Sequence, residues 1–162
     1  MKASPISRGP RQRCWPRQQG ATLIEILVTV LILSLGMLGM AAMQTRAVKG
    51  SFSAGQRSQS VMLAQYMLDV MRVDREHAKG GDYNTGSTAV CNAAAFGAGS
   101  LANNARTAWF NEVKAAIGRT GDTTTCAQIN CDAEYVCTVR IQWDDSRAGG
   151  LSNQTAVLTS RV

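Results

Sequence analysis

The sequence predicts an α+β protein, with one long N-terminal α-helix packed on a small antiparallel β-sheet domain. Three observations predict it. An uncharged run of bilayer-spanning length lies near the start. A helical stripe of polar side chains continues beyond it, and a period-two alternation closes the chain.

Residues 1–20 come first. They hold Lys2, Arg8, Arg11, Arg13 and Arg17 with no acidic side chain, which accounts for five of the six net positive charges. The rest of the chain is almost neutral, with 12 basic against 11 acidic side chains. A basic flank of this kind holds its end of the chain in the cytoplasm and sends the C-terminal part across the membrane. The high isoelectric point therefore belongs to this leader, and no nucleic-acid partner is expected. Pro5, Pro10 and Pro16, all the prolines, lie here as well, so none interrupts a helix downstream.

Behind the leader, Glu25 precedes 18 residues without charge, Ile26 to Met43. That run matches a bilayer core of ~30 Å. An acidic side chain within such a span costs roughly 2.5 to 3.5 kcal/mol, so Glu25 reads as a functional residue with a partner. A secretory signal peptide cut near Gly39-Met40-Ala41-Ala42 is the competing reading, but its apolar core would be too long and Glu25 would have no role. No cysteine directly follows the apolar run, which excludes a lipoprotein.

Further along, Gln65, Asp69, Arg72 and Glu76 form one polar stripe on a 3.6-residue period. Val61, Met62, Leu63, Tyr66, Met67, Leu68, Val70, Met71 and Val73 occupy the remaining faces, an apolar surface wide enough to need cover on more than one side. The C-terminal domain is expected to supply it. A helix from Thr22 to His77 would be about 84 Å long. Gly36, Gly39, Gly50 and Gly55 weaken it locally, or Gly36 and Gly39 let neighbouring helices approach closely. From Lys79 to Gly86 a cluster of breakers ends the helix, and small residues follow to about Asn104. Thr107 to Ile117 predicts a short helix whose inner face is Trp109, Phe110, Val113, Ala116 and Ile117. Tyr135, Cys137, Val139, Ile141 and Trp143 alternate with polar or outward residues, which predicts a half-buried strand. A turn over Asp144, Asp145, Gly149 and Gly150 leads to a second strand in Thr155 to Val162, with a third possible around Thr123 to Ile129. The expected organisation is 1–20 a removed leader, 21–78 the long helix with its membrane part at about 22–43, and 79–162 the globular domain.

The residues Gly20-Ala21-Thr22-Leu23-Ile24-Glu25-Ile26-Leu27-Val28 resemble the class III signal of type IV prepilins and type II secretion pseudopilins. Phenylalanine is commoner there at the place of Ala21. The element order resembles the type IV pilin fold. Residues 31–40, Gln44, Leu63 to Met67, Asp69 to Arg72, the Trp109 helix and Val139 to Asp144 look like PilV-type minor pilins. The resemblance implies that a prepilin peptidase cuts between Gly20 and Ala21 and that Ala21 is N-methylated. It implies major and minor pilin subunits as partners. It also implies residence in the inner membrane, with the C-terminal domain periplasmic, before assembly into a surface pilus that serves pilus initiation, adhesion or twitching motility.

Cleavage there would create an α-amino cation at Ala21. Burying it among apolar helices calls for a counter-ion, and Glu25 of a neighbouring subunit can neutralise it while fixing axial register. The alternative is internal, since Ala21 and Glu25 lie four apart on one helix face and the macrodipole favours a carboxylate at this end.

Cys14 leaves with the leader, so Cys91, Cys126, Cys131 and Cys137 remain, an even set suited to an oxidising compartment. Two disulfides are expected, and three connectivities stay open. A four-cysteine zinc site is the runner-up, without the two-residue spacings such sites show. The chain does not read as an enzyme, and no cofactor or metal is expected. His77, the only histidine, reads as a solvated helix end. Gly97 to Ala102 matches a dinucleotide fingerprint in letters but lacks the βαβ setting, and reads as a flexible loop. Asp144 and Asp145 read as turn formers rather than calcium ligands. Three functions remain: a minor pilin, a type II secretion pseudopilin, and a membrane-anchored binding module, adhesin or DNA-uptake receptor, that never polymerises. A partner surface is expected in Ala78 to Asn104, because loops on a scaffold carry recognition.

Overall fold

A computed structural model describes residues 20–118 and 121–162. The expectations placed on residues 1–19, Cys14 among them, lie outside the described residues. Helix α1 covers Leu23–Val73, α2 covers Arg75–Lys79 and α3 covers Leu101–Ala116. Strands β1 (Cys126–Cys131), β2 (Val136–Trp143) and β3 (Gln154–Arg161) form one antiparallel sheet in the order β1-β2-β3. This is the α+β arrangement of the pilin fold, a long N-terminal helix with a small sheet. The chain divides into two compact units, Met1–Ala41 and Ala42–Val162, with α1 contributing to both.

Within the second unit α1 contributes one stripe to the core. Gln56, Ser60, Ala64, Met67, Leu68 and Met71 are buried at helical spacing. Ala64, Met67, Leu68 and Met71 meet α3 through Ala102, Trp109, Phe110, Val113 and Ile117, and the sheet through Ile129, Val139, Ile141 and Trp143, in one continuous cluster. Each large apolar side chain buried here contributes roughly 1.5 to 3 kcal/mol. Polar contacts fix the register of that packing. Trp109 Nε1 donates to the Leu63 carbonyl at 2.8 Å, Gln56 Nε2 to the Ile117 carbonyl at 2.9 Å, and Arg72 Nη2 to Ser160 Oγ at 2.6 Å.

Several expectations need correction. The long helix does not run unbroken to His77. Asp74 leaves helical geometry at φ −115° and ψ 49°, and its carboxylate is engaged sideways by Tyr83 and His77 instead of capping α2. Cover on more than one side of α1 is not supplied by the described residues. The polar stripe is exposed as predicted, but so are Val61, Met62, Tyr66 and Val73, the last at 91 %. Helix α3 starts six residues before Thr107. Ser100 caps it, its Oγ accepting the Asn103 N–H at 3.0 Å, so the end of the Gly97–Ala102 segment is structured rather than loose. Ala116 lies on the exposed side of α3.

The strands follow the alternation. Cys137, Val139, Ile141 and Trp143 of β2 are buried, and the residues between them are not. A loop of Asp132 to Tyr135 joins β1 to β2, organised by Asp132 Oδ1, which accepts the Glu134 and Val136 N–H groups. Tyr135 closes it at φ 63°, with Arg75 and Lys79 each 4.7 Å from its ring centre. The segment after α2 is tethered to the sheet. Asn84 Oδ1 accepts the Cys131 N–H at 2.6 Å, the Thr85 N–H reaches the Ile129 carbonyl at 3.0 Å, and Val90 and Ala127 exchange backbone hydrogen bonds. Gly118, past the end of α3, has no room for a side chain. A Cβ there would sit 2.5 Å from Asp122 Oδ2 and 2.7 Å from Thr125 Oγ1.

Candidate functional site

The first unit carries the segment that the sequence singles out. Thr22 opens the helix, its carbonyl accepting the N–H groups of Glu25 at 3.1 Å and Ile26 at 3.3 Å. Glu25 therefore falls in the first turn of α1, where the helix dipole favours a carboxylate. Its side chain is exposed and joins no ion pair among the described residues. Gly20 and Ala21, just before the helix, are exposed too, so the bond between them is sterically open.

From Leu23 to Met43 every side chain is exposed although nearly all are apolar. Leu23, Leu27, Leu31, Leu35 and Leu38 are each more than half exposed, which is a surface that needs a non-aqueous or protein environment. The hydroxyls within it are internally satisfied. Thr29 Oγ1 donates to the Ile26 carbonyl at 2.8 Å and Ser34 Oγ to the Val30 carbonyl at 2.7 Å, as polar groups in a lipid phase require. α1 is long and apolar enough to cross a membrane, with a mean hydropathy of 2.4 over its best window. Gly36 and Gly39 do not interrupt it. A Cβ at either would meet nothing within 4 Å, so both present bare backbone.

The remaining candidates lie in the second unit. The cysteines pair as Cys91–Cys126 and Cys131–Cys137. With all four sulfurs in disulfides, none is left to ligate zinc. Closing 35 residues restricts the unfolded chain by about 4 kcal/mol and closing 6 by about 2 kcal/mol on a chain-entropy estimate. His77 is exposed in α2, and its Nδ1 lies 2.6 Å from Asp74 Oδ1, while the buried Tyr83 donates to Asp74 Oδ2 at 3.0 Å. The hydrogen bond and charge of Asp74 raise the imidazole above its ordinary 6.5. Burial, with the same carboxylate, pushes Tyr83 up to about 12.

That arrangement has a sign. A group whose pKa is raised on folding binds its proton more tightly in the folded chain, so its contribution is complete below 6.5 and lost as pH rises through the raised value. The melting temperature should therefore fall slightly as pH rises from 6.5 through the raised value. His77→Gln should remove that step while leaving the rest of the profile unchanged.

Two residues escaped sequence reasoning. Arg106 is buried in α3 and holds the preceding segment, donating to the Asn84 carbonyl at 2.8 Å, the Phe96 carbonyl at 3.5 Å and Asn103 Oδ1. Burial lowers its pKa, with Asp82 and Tyr83 acting in the opposite direction. Asp145, read as an ordinary turn former, is only 3 % exposed. No signal of period or spacing marks either, since each is a charged residue where the pattern asks for an apolar or a solvated one.

Residues 15–41 match the prokaryotic N-terminal methylation motif. No curated protein and no solved structure matches the chain. The motif points to a structural subunit rather than an enzyme, and it implies processing by a prepilin peptidase and assembly with other pilin subunits. Together with the exposed apolar helix that it opens, the motif supports a type IV pilin-like protein.

Proposed function

We propose that this chain is a minor pilin of the PilV type, a subunit that enters a type IV pilus by packing its N-terminal helix among those of its neighbours. The observation that carries this reading is the coincidence of the methylation motif at residues 15–41 with a helix whose apolar side chains from Leu23 to Met43 have no cover among the described residues. In this reading residues 1–20 are removed and Ala21 carries the methylated amine. Residues 22–43 cross the inner membrane before assembly, and residues 79–162 stand in the periplasm and later on the pilus surface. Glu25 takes the amine of an adjacent subunit as its counter-ion, which offsets the desolvation of both charges. The same signal serves type II secretion pseudopilins, whose subunits stay in a short periplasmic assembly. The exposed stripe of Val61, Met62 and Tyr66 favours a polymerising subunit over an anchored module that acts alone.

N-terminal peptide mass spectrometry on sheared surface pili and on membranes of the same cells tests this. An N-methylated peptide beginning at Ala21 is expected in the sheared pili. Its confinement to membranes would favour the pseudopilin, and a start near Ala41 to Met43 would overturn the prepilin reading.

A further inference from the structure

The chain closes one edge of its sheet and leaves the other open. In an antiparallel ladder, alternate residues turn their N–H and C=O groups toward the neighbouring strand and the residues between them turn theirs away. The Asp132 N–H donates to the Val136 carbonyl and the Val162 N–H to the Tyr135 carbonyl, which sets the phase of both ladders. Ala127, Ile129 and Cys131 therefore point their backbone groups outward from β1, and Thr155, Val157, Thr159 and Arg161 point theirs outward from β3. Every outward group of β1 is taken. Ala127 exchanges both bonds with Val90, Ile129 is held by the N–H and hydroxyl of Thr85, and Cys131 by the side-chain amide of Asn84. On β3 the N–H groups of Thr155, Val157, Thr159 and Arg161, and the carbonyls of the first three, have no hydrogen-bond partner among the described residues. All four residues are exposed. The edge also lacks the usual protection. Gln154 to Ser160 contains no charge, proline or glycine, and each residue keeps its partner on β2, so no bulge turns the strand away.

Such a row is matched by one chemistry, an extended backbone that offers carbonyls and N–H groups at the same repeat. A second copy's β3 and a strand of another protein both have that backbone, and charge separates them. The three strands contain two charged residues, Arg140 and Arg161, both exposed, and no acidic one. Neither arginine is in an ion pair among the described residues. Joining two copies along β3 would gather four arginines and no carboxylate on one sheet, which is unfavourable. A strand bearing carboxylates is complementary instead. A carboxylate opposite Arg161 would stand directly across from it. One opposite Val157 would lie two strand spacings, about 10 Å, from Arg140, within the combined reach of two long side chains. The alternate side chains of that strand would continue the core side of the sheet beyond the half-buried Leu158, where apolar groups fit.

We propose that β3 is a docking edge for an extended segment of a partner protein, which adds as a fourth strand with acidic side chains toward Arg140 and Arg161 and apolar ones toward the core. The edge is open whether or not the chain polymerises.

The test is NMR titration and amide hydrogen exchange of the 15N-labelled full chain in detergent micelles. The probe is acetyl-Glu-Val-Thr-Val-Glu-Val-Thr amide. The controls are acetyl-Lys-Val-Thr-Val-Lys-Val-Thr amide and the Glu peptide N-methylated at its third and fifth residues. Saturable shifts at the amides of Val157 and Thr159 are expected with the Glu peptide, and exchange there should slow roughly tenfold. The amides of Ala156 and Leu158, already bonded to β2, should change little. Both controls should bind roughly tenfold more weakly. Val157→Pro removes an outward donor while sparing the bonds to β2, and should raise the half-saturation concentration roughly tenfold. Arg140→Gln, at an exposed position, should raise it a few-fold for the Glu peptide alone, and provides the test if the proline variant does not fold. No saturable response to the Glu peptide, equal binding of either control, or undiminished binding by folded Val157→Pro protein would each overturn the proposal. So would exchange at Val157 and Thr159 that slows as the chain alone is concentrated, which would assign the edge to a second copy.

Discussion

Glu25→Ala should be processed normally yet nearly absent from sheared pili, whereas Gly20→Val should remain a full-length precursor in the inner membrane. The two residues lie five positions apart and act at different steps. In the proposed reading the peptidase cuts after Gly20, where a β-branched side chain would obstruct its approach. Glu25 is distant from that bond, in the first turn of α1, and in the proposed pairing its loss would leave the Ala21 amine without a counter-ion. Removing one partner of a buried ion pair costs about 3 to 5 kcal/mol, which corresponds to a reduction in incorporation of roughly two to four orders of magnitude. Immunoblots of membrane and sheared fractions, with intact mass to read the N-terminus, check both variants. Normal incorporation of Glu25→Ala would falsify the intersubunit pairing and leave the self-capping arrangement in its place.

The largest effect within the globular unit is expected from Trp109→Ala. Trp109 is fully buried between the α1 stripe and the sheet. Its truncation should destabilise by about 3 to 5 kcal/mol, a large fraction of the roughly 5 to 15 kcal/mol that a domain possesses. The loss is mainly one of volume, because the Leu63 carbonyl that Trp109 Nε1 reaches is mid-helical and has its own helical partner. Trp109→Phe should therefore recover most of the stability. Thermal unfolding of the oxidised protein followed by circular dichroism measures it, and a midpoint for Trp109→Ala within a few degrees of the parent would contradict the packing described for α3.

The legible parts of this fold are those where one physical requirement dominates. β2 reads from sequence because burial of Cys137, Val139, Ile141 and Trp143 imposes a strict period of two. The membrane-length run and Glu25 read as clearly, since a lone carboxylate stands out against uncharged neighbours. The first half of α3 was hidden because the inner position between Ala102 and Trp109 is held by Arg106, a charged side chain satisfied by the Asn84 and Phe96 carbonyls from outside the helix and by Asn103 Oδ1 within it. The break at Asp74 has no proline or glycine to announce it, and depends on Tyr83 nine residues away. Disulfide connectivity was equally invisible, being set by the register that places Cys131 opposite Cys137 and by the bridge that brings Val90 to Ala127. Asp145 could be placed in a turn from its neighbours, but its burial depends on Ser53, which is 92 positions away.

The two disulfides fix the first and last residues of β1, an outer strand of the sheet. A fibre subunit is loaded by tension, and tension unravels a sheet by peeling an outer strand. Here the peel is short-circuited. The span of 35 positions from Cys91 to Cys126, α3 within it, corresponds to roughly 120 Å of extended chain that a pulling force cannot release. The small loop from Cys131 to Cys137 withholds about 20 Å more. Under load the oxidised domain should withhold these two lengths while β3, the outer strand that neither disulfide holds, can still peel, and reduction should release them.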